Sequence, residues 1–275
     1  MRWKRQVGDI LEQLSGRLIM HPDSLHFEER VHLRQFFAHF GVDCVFDVGA
    51  NRGQYATLLR EKVGFRGPII SYEPIPDIAA DLRAMSAKDP KWYVEDLALD
   101  REAGPAIFNV MRESVFSSLR KPSQEQFSVF KNRNVVHREV EVRRTTIADE
   151  LPRWQAKLGF SRPFLKMDTQ GNDLAVVEGA GSALRAFVGL QSELAIRKLY
   201  EGSTDFTETI AAYRANGFEL SAFVPSNAGT FPVLVEVDCI MFRQGLDDTQ
   251  ASRRAAHQHD GQREVEVLER LAELR

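Results

Sequence analysis

The chain has 275 residues, of which 43% are hydrophobic and 27% are charged, a balance typical of soluble globular proteins. Its net charge of −3 provides no overall attraction to nucleic acid, and no apolar run approaches the roughly 18 residues of a membrane span. Cys44 and Cys239 lie in apolar runs without metal-binding spacing, which predicts buried, reduced thiols. The basic N-terminus also holds Asp9 and Glu12 and does not resemble a secretory signal. We therefore expect a cytoplasmic protein with no nucleic-acid partner and no transmembrane segment.

Residues 1–41 are predicted to form an N-terminal helical extension. Ile10, Leu14 and Leu18 are spaced by four, which gives a first helix an apolar stripe. That stripe is expected to pack on the domain or on a second copy of the chain in a homodimer, with membrane association as the alternative. A second helix, FEERVHLRQFFAHFG, ends at Gly41, a favourable residue for a helix C-terminus.

From residue 42 onward, buried strands and helices alternate. Strands are predicted at 43–48, 67–74 and 91–99, and helices at 53–63 and 76–88. This β-α-β-α-β order predicts an α/β fold with a mostly parallel, doubly wound sheet and helices on both faces.

The pattern changes between residues 100 and 146. Two alternating strands, AIFNV and EVEVRRTT, flank a polar segment over residues 111–134, which we call the excursion; long loops of this kind are usually functional or disordered. Strands are then predicted at 163–168, 188–194, 218–224 and 233–242, and helices at 172–186 and 206–217. The last two strands resemble a hairpin, which predicts an antiparallel strand at the far edge. The polar tail, 245–275, has a helix-like end and is either disordered or a second candidate for a homodimer contact.

The stretch VFDVGANRGQYATLL joins the first predicted strand to a helix through a glycine loop, an arrangement typical of nucleotide sites. Gly49 and Gly53 follow Asp47 in a D-x-G-x-x-x-G spacing, which lacks the third glycine of the NAD fingerprint. This spacing suits S-adenosylmethionine (SAM), which has no pyrophosphate. We expect Asp47 to face the amino group of SAM, and backbone amides around Asn51 and Gly53 to face its carboxylate.

The ends of the next two strands extend the predicted SAM site. Glu73, followed by the strand-breaking Pro74, is expected to accept hydrogen bonds from both ribose hydroxyls. Asp96 is expected to accept from the adenine amino group, with Leu97 beside it and the small Ala98 leaving room for the ring. Acidic residues at three consecutive strand ends favour SAM far more than any one of them does.

Several motifs follow one another over residues 43–243: VFDVGANRGQYA, IISYEP, VFSSL, PFLKMDTQGNDLAVVEGA, LQSELAIRKLYEG and VDCIMFR. In this order they resemble the FkbM family of SAM-dependent methyltransferases. The resemblance implies a class I, Rossmann-like domain over 42–244, SAM as cofactor and O-methyl transfer to hydroxyls of sugars, polyketides or glycolipids. It also implies that Ser117 and Ser118 close over the cofactor or acceptor.

The chain departs from the family pattern at two places. Asn172 and Asp173 stand where the family usually carries an aromatic residue and then Glu, and Ile147-Ala148 stand where it often has Leu-Asp. The first change keeps the acid but shortens its reach. The second puts the role of an acid at position 148 in doubt, although Asp149 is adjacent.

Methyl transfer to a hydroxyl requires a base or a metal ion to help remove the hydroxyl proton. Asp168, at the end of the LKMDTQG strand, is the first candidate for the base or for a metal ligand, and Gln170 is expected to orient the acceptor. Lys166 either pairs with Asp168 or is structural. Glu193 is expected to point into the same cleft. Together with Asp238, Asp168 and Glu193 form a candidate divalent-cation site, the alternative for Asp238 being a buried acid bonded to a backbone amide or an arginine.

Two weaker candidates complete the predicted site. His137 is either a base or a surface residue, and Tyr200, Glu201 and Gly202 begin a loop expected to shape the acceptor pocket. The sequence thus predicts a SAM-dependent O-methyltransferase acting on a small-molecule or glycan acceptor, namely a saccharide, glycolipid or secondary metabolite. The alternatives are a SAM-binding module without catalysis and, disfavoured by the two-glycine loop, an NAD-dependent oxidoreductase.

Overall fold

The computed structural model describes residues 27–125, 130–225 and 232–246. The predicted first helix with Ile10, Leu14 and Leu18 lies outside the described residues, and so does almost all of the polar tail. Their suggested roles in a homodimer remain predictions. Within the described ranges, no helix combines the length and the apolar character needed to cross a membrane.

The strands are β1 (Cys44–Val48), β2 (Ile69–Tyr72), β3 (Trp92–Glu95), β4 (Ala98–Leu99), β5 (Gly104–Met111), β6 (Val136–Thr145), β7 (Pro163–Met167), β8 (Gly189–Ala195), β9 (Phe218–Pro225) and β10 (Glu236–Arg243). The α-helices are α1 (Phe27–Phe40), α2 (Gln54–Leu58), α3 (Pro76–Ser86), α4 (Ile147–Leu158), α5 (Asp173–Ala180) and α6 (Phe206–Ala215). A π-helix, Leu59–Val63, continues α2, and a 3₁₀ helix, Gly181–Ala186, continues α5.

Seven strands form the main sheet in the order β3-β2-β1-β7-β8-β10-β9. The first five of these are parallel, and β10 is antiparallel to both β8 and β9. This confirms the predicted mostly parallel, doubly wound sheet, although the reversed strand lies second from the edge. Because β2 and β7 flank β1 on opposite sides, the topological switch point, where such sheets bind ligands, lies between β1 and β7.

Helices cover both faces of the main sheet, which explains why β1 is a continuous apolar run broken only by Asp47. Phe46 of β1 packs in one core cluster with Trp154 of α4. Its neighbour Val45 packs in the cluster on the opposite face, with Phe36 of α1. The Phe36 ring lies 5.4 Å from that of Phe164 on β7, so α1 is fixed directly over the centre of the sheet.

A second sheet holds β4, β6 and β5 in that order. β4 is parallel to β6, and β5 is antiparallel to it. The prediction of one strand over 91–99 is therefore wrong, because the chain leaves the main sheet after Glu95 and pairs again at Ala98 with a different partner. Cys44 and Cys239 are buried free thiols, as predicted, and burial raises the pKa of both.

Candidate functional site

A cavity of about 480 Å³ lies at the carboxyl ends of β1, β2 and β7, at the switch point. Gly49, Glu73, Leu97 and Ala98 line the part that we call the β2 side. Residues of α1, α2, β8, β9 and β10 line the part that we call the β10 side. The loop that follows β7, including Asp168, also lines the cavity, and it lies between the two sides because β7 stands between β1 and β8 in the sheet. The volume is in the range of small-molecule and cofactor sites.

The two glycines of the loop after β1 have different tasks. Gly49 lines the cavity with φ 78°, and a Cβ there would lie 1.9 Å from the Asp168 carbonyl oxygen. Gly53 has φ 79° but is not among the described residues of the cavity wall. A Cβ on Gly53 would lie 2.8 Å from atoms of Leu82 and Trp92. Gly53 therefore permits close packing against α3 and β3.

Glu73 is the buried carboxylate of the β2 side. Its Oε2 accepts a hydrogen bond from the Asn51 amide at 2.8 Å, and its Oε1 accepts from the Ile75 amide at 2.9 Å. Burial raises the pKa of Glu73 to about 7, and the two amides offset part of that rise. Since a carboxylate offers about four acceptor positions, each oxygen keeps one for a ligand. Pro74, next in the chain, also lines the cavity.

Leu97 and Ala98 form part of an apolar wall on the β2 side, whereas Asp96 is not among the described lining residues. The Asp96 carboxylate lies 3.1 Å from Arg83 Nη2 and 3.3 Å from Arg143 Nη2, and its side chain is 42% exposed. The break between β3 and β4 thus directs Asp96 to these arginines. The structure does not bring it together with the other residues predicted to bind SAM.

Asp47 also lies away from the cavity, since it is fully buried within the sheet. Its Oδ2 accepts from the Ser71 hydroxyl at 2.9 Å, and its Oδ1 is 3.6 Å from Lys166 Nζ. Lys166 lines the cavity, and its Nζ is also 3.5 Å from Asp168 Oδ2. Burial lowers the pKa of Lys166, but Asp168 and Asp47 more than offset this and leave it raised. Asp47 therefore forms an ion pair with Lys166 from the interior side of the cavity wall.

Gln170, with φ 55°, connects Asp168 to the protein interior. Its Nε2 donates to Asp168 Oδ1 at 2.7 Å and to Glu193 Oε2 at 2.9 Å, and its Oε1 accepts from the Tyr200 hydroxyl at 2.6 Å. The Asp168 side chain is 42% exposed at the cavity. Burial raises the pKa of Glu193 well above its usual value, and Glu236 and Asp168 add to this. Gln170 is thus a positioning residue for Asp168.

The candidate cation site of Asp168, Glu193 and Asp238 is not formed. The Gln170 amide lies between Asp168 and Glu193, and Asp238 Oδ2 accepts from Gln191 Nε2 at 3.1 Å. Across the described ranges, no group of three or more His, Cys, Asp or Glu side chains is arranged to hold a metal ion. The sequence placed the three acids at neighbouring strand ends, but it did not reveal the amides that separate them.

A hydrogen-bond network on the β10 side was not predicted from the sequence. The Tyr55 hydroxyl donates to Gln191 Oε1 at 2.9 Å, which directs Gln191 Nε2 to Glu29 Oε1 at 2.8 Å and to Asp238 Oδ2. All four residues line the cavity. Burial raises the pKa of Asp238 to about 7, with Asp168 and Glu29 adding to the rise. The polar Gln191 inside the buried run of β8 is the one local signal that the sequence offered.

The excursion covers the site through two serines. Ser117 lines the cavity, and its hydroxyl accepts from the Met111 amide at 3.0 Å. Ser118 is fully buried, and its hydroxyl donates to the Gln170 carbonyl at 2.8 Å. Ser118 therefore fixes the excursion to the loop after β7, while Ser117 faces the cavity.

The remaining predicted residues lie around this centre. Asp173 accepts from the Thr169 amide at 2.9 Å and from the Ser192 hydroxyl at 2.7 Å, so the shortened acid still ties α5 to β8. His137 is exposed on β6 of the second sheet. Glu201 and Gly202 are exposed, and their carbonyls accept from Arg120 Nη1. None of these four is among the described lining residues of the cavity.

The chain matches one family model and is similar to several solved structures. The model of the FkbM methyltransferase domain matches residues 47–220. No curated protein sequence matches the chain. Similar solved structures include the FkbM methyltransferase of Methylobacillus flagellatus, with 15% identity and a TM-score of 0.43 over 73% of this chain and 43% of that one. Aeropyrum pernix fibrillarin with natively bound SAM has 15% identity and a TM-score of 0.40 over 72% and 66%.

Magnesium protoporphyrin IX methyltransferase from Synechocystis with bound SAM has 9% identity and a TM-score of 0.45, over 88% of this chain and 97% of that one. The chain spans less than half the length of the Methylobacillus FkbM protein. The family match nevertheless covers more than half of this chain and includes the loop after β1, β7 and β8. The chain, with its class I methyltransferase sheet, belongs to the FkbM family of SAM-dependent methyltransferases.

Proposed function

We propose that the protein transfers a methyl group from SAM to a hydroxyl of a small hydroxylated acceptor, of the saccharide, glycolipid or secondary-metabolite class. The position of Asp168 carries this proposal. Its carboxylate is held by Gln170 and Lys166 at the wall between the two sides of the cavity. A base at this place can take the proton of an acceptor hydroxyl bound on one side while the cofactor on the other side donates the methyl group.

The residues of the β2 side fit SAM. The free acceptor positions of Glu73 match the two ribose hydroxyls, and Leu97, Ala98 and Ile75 supply apolar surface for an adenine ring. When bound, SAM supplies an electrophilic methyl group. This fit supports the β2 side as the cofactor site and the β10 side as the acceptor site.

Asp168 is proposed to accept the proton of the acceptor hydroxyl. Gln170 Nε2 occupies one lone pair of Oδ1, and Lys166 lies on the side of Oδ2, so the carboxylate is fixed in orientation while part of it remains exposed. General-base assistance of this kind contributes roughly 10²- to 10⁴-fold in rate. Holding the hydroxyl in line with the methyl group contributes further through orientation.

The test is transfer of labelled methyl from SAM to a panel of saccharides, glycolipids and hydroxylated metabolites, followed by location of the label on oxygen. Asp168→Asn is expected to lower kcat by about 10²-fold or more while calorimetric SAM affinity stays close to wild type. Asp81→Asn is the matched control, because Asp81 is an exposed carboxylate outside the cavity wall. Label on nitrogen or carbon, or full activity in Asp168→Asn, would contradict the proposal.

A further inference from the structure

We propose that Asn172 recognises the adenine base of SAM, with its side-chain oxygen accepting a hydrogen bond from the amino group of the ring. This inference rests on the proposed function, which places SAM on the β2 side of the cavity. Asp96, which the sequence predicted for this task, is bound to arginines and is not among the described lining residues. The adenine amino group is therefore left for another acceptor, and Asn172 lines the cavity.

Asn172 is held on the β2 side through the end of β4. Its Nδ2 donates to Asp100 Oδ1 at 3.2 Å, and Asp100 directly follows β4, whose residues Ala98 and Leu99 both line the cavity. Asp100 is itself fixed, because its Oδ2 accepts from Arg144 Nη1 of β6 at 2.6 Å. The Asn172 side chain thus lies beside the apolar wall that the proposed function assigns to the adenine ring.

The bond to Asp100 determines which atom of the Asn172 amide is free. A carboxylate only accepts hydrogen bonds, so the amide nitrogen faces it and Oδ1 is directed the other way. Asn172 directly precedes α5, a position where asparagine often caps the helix with its Oδ1, but here the side chain makes no capping bond. Among the described residues, no group donates to this oxygen. Because Asn172 lines the cavity, its Oδ1 is an acceptor available to a ligand there.

An acceptor at this place distinguishes adenine from hypoxanthine. The exocyclic amino group of adenine is a hydrogen-bond donor, whereas hypoxanthine carries a carbonyl oxygen at the same ring position. A hypoxanthine ring in the same orientation would set two oxygens against each other, so the site would lose a hydrogen bond and gain a repulsion. Asn172 is thus a specificity-determining residue for the cofactor base.

The experiment is calorimetric titration of the full chain with S-adenosylhomocysteine and with S-inosylhomocysteine, which differ only in the base and carry no methyl group to transfer. The wild-type protein is expected to bind the adenine compound about tenfold or more tightly. Asn172→Leu, which keeps most of the side-chain volume, and the smaller Asn172→Ala are expected to bring the two affinities within about twofold of each other. Asp96→Asn is the matched control and is expected to keep the wild-type preference.

Thermal unfolding reports whether each variant is folded, and neither change at position 172 removes a helix cap. Equal affinities of the wild-type protein for the two compounds, or a preference that survives in both folded Asn172 variants, would overturn the inference. Loss of the preference in Asp96→Asn alone would assign it to Asp96 instead. The proposed function fails in a different way. Methyl transfer to nitrogen or carbon would overturn the O-methyl proposal alone, whereas transfer to hydroxyls without selectivity for adenine would overturn the adenine contact alone.

Discussion

Gly49 and the backbone of Asp168 pass so close to each other that a Cβ at position 49 would lie 1.9 Å from the Asp168 carbonyl oxygen. The two residues follow adjacent parallel strands, β1 and β7, and both line the cavity. The loop after β1 and the candidate base are therefore held close together through backbone atoms. A side chain at position 49 would clash with the Asp168 backbone unless the two loops moved apart.

Gly49→Ala is accordingly expected to destabilise the fold by more than about 4 kcal/mol and to abolish SAM binding. Gly64→Ala is the matched control, because Gly64 has φ 84° and a Cβ there would meet nothing within 4 Å. That control is expected to cost only the ~1–2 kcal/mol of a left-handed residue. Urea unfolding and SAM calorimetry measure both variants, and equal losses in the two would contradict the role of the close approach.

SAM affinity is expected to depend on pH through Glu73. Because the pKa of this carboxyl is raised to about 7, it is largely protonated in mildly acidic solution and loses acceptor capacity. Affinity is expected to fall by up to about tenfold per pH unit below 7 and to level off above it. Calorimetry across this range tests the dependence. Glu73→Gln is expected to bind more weakly at high pH and to show no such slope; a slope retained in that variant would assign it to another group.

Gln170→Met is expected to reduce stability and activity together. The change keeps the length of the side chain but removes the donor to Asp168 and Glu193 and the acceptor for Tyr200. Leaving buried polar groups unsatisfied costs about 1–3 kcal/mol for each group. Tyr200→Phe, which removes the bond to Gln170 together with the bond to the Phe116 carbonyl, serves as the graded comparison and is expected to cost about 1 kcal/mol for each bond lost. A positioning role predicts a fall in kcat with nearly unchanged SAM affinity, and the reverse split would contradict it.

Asp238→Asn is expected to stabilise the protein without ligands, and more so at high pH. The folded-state pKa of Asp238 is about 7, above its ordinary value of 3.8, so the native state holds its proton more tightly than the unfolded chain does. Stability is thus lost as pH rises from about 4 to about 7, by up to about 4 kcal/mol. The asparagine variant lacks this loss, and thermal unfolding at both ends of the range measures the difference.

Asp77→Asn is the comparison variant for which the pH dependence of stability is expected to have the opposite sign. Hydrogen bonding to Arg138, 2.7 Å away, lowers the pKa of Asp77, so its contribution is present above the ordinary pKa and is lost as pH falls. Because this pair is exposed, its effect is expected to be small. A variant at 238 that behaved like the one at 77 would show that Asp238 is stabilised as an anion.

The main sheet was predictable because its strands are short apolar runs with turn residues between them. β1, β2 and β7 are buried on both faces, and local composition is sufficient to identify such strands. The break within segment 91–99 was not predictable, because the apolar pattern continues on both sides of Asp96 whereas the strand pairing changes from β2 to β6. Which sheet a residue joins depends on distant partners, here Arg144 opposite Ala98.

The same limit applies to the site. Glu73 and Asp168 follow strands at the switch point, so topology alone places them at the cavity. Glu29 reads as an ordinary acid in the first turn of a helix, and its bond to Gln191 joins residues 162 positions apart. For Asp47 the error was the reverse. Its place in the motif predicted a ligand contact, but the alternation of side chains along β1 buries it in the core.

Lys166 is divided almost equally between an acid in the core and an acid at the cavity, at 3.6 Å from Asp47 and 3.5 Å from Asp168. The ammonium group that faces the candidate base is thus shared with a fully buried residue. A neutral side chain at position 47 would leave Asp168 as the remaining ion-pair partner of Lys166 and change how the two side chains are held. The reactivity of this centre can therefore be adjusted from the interior of the protein while the shape presented to cofactor and acceptor stays the same.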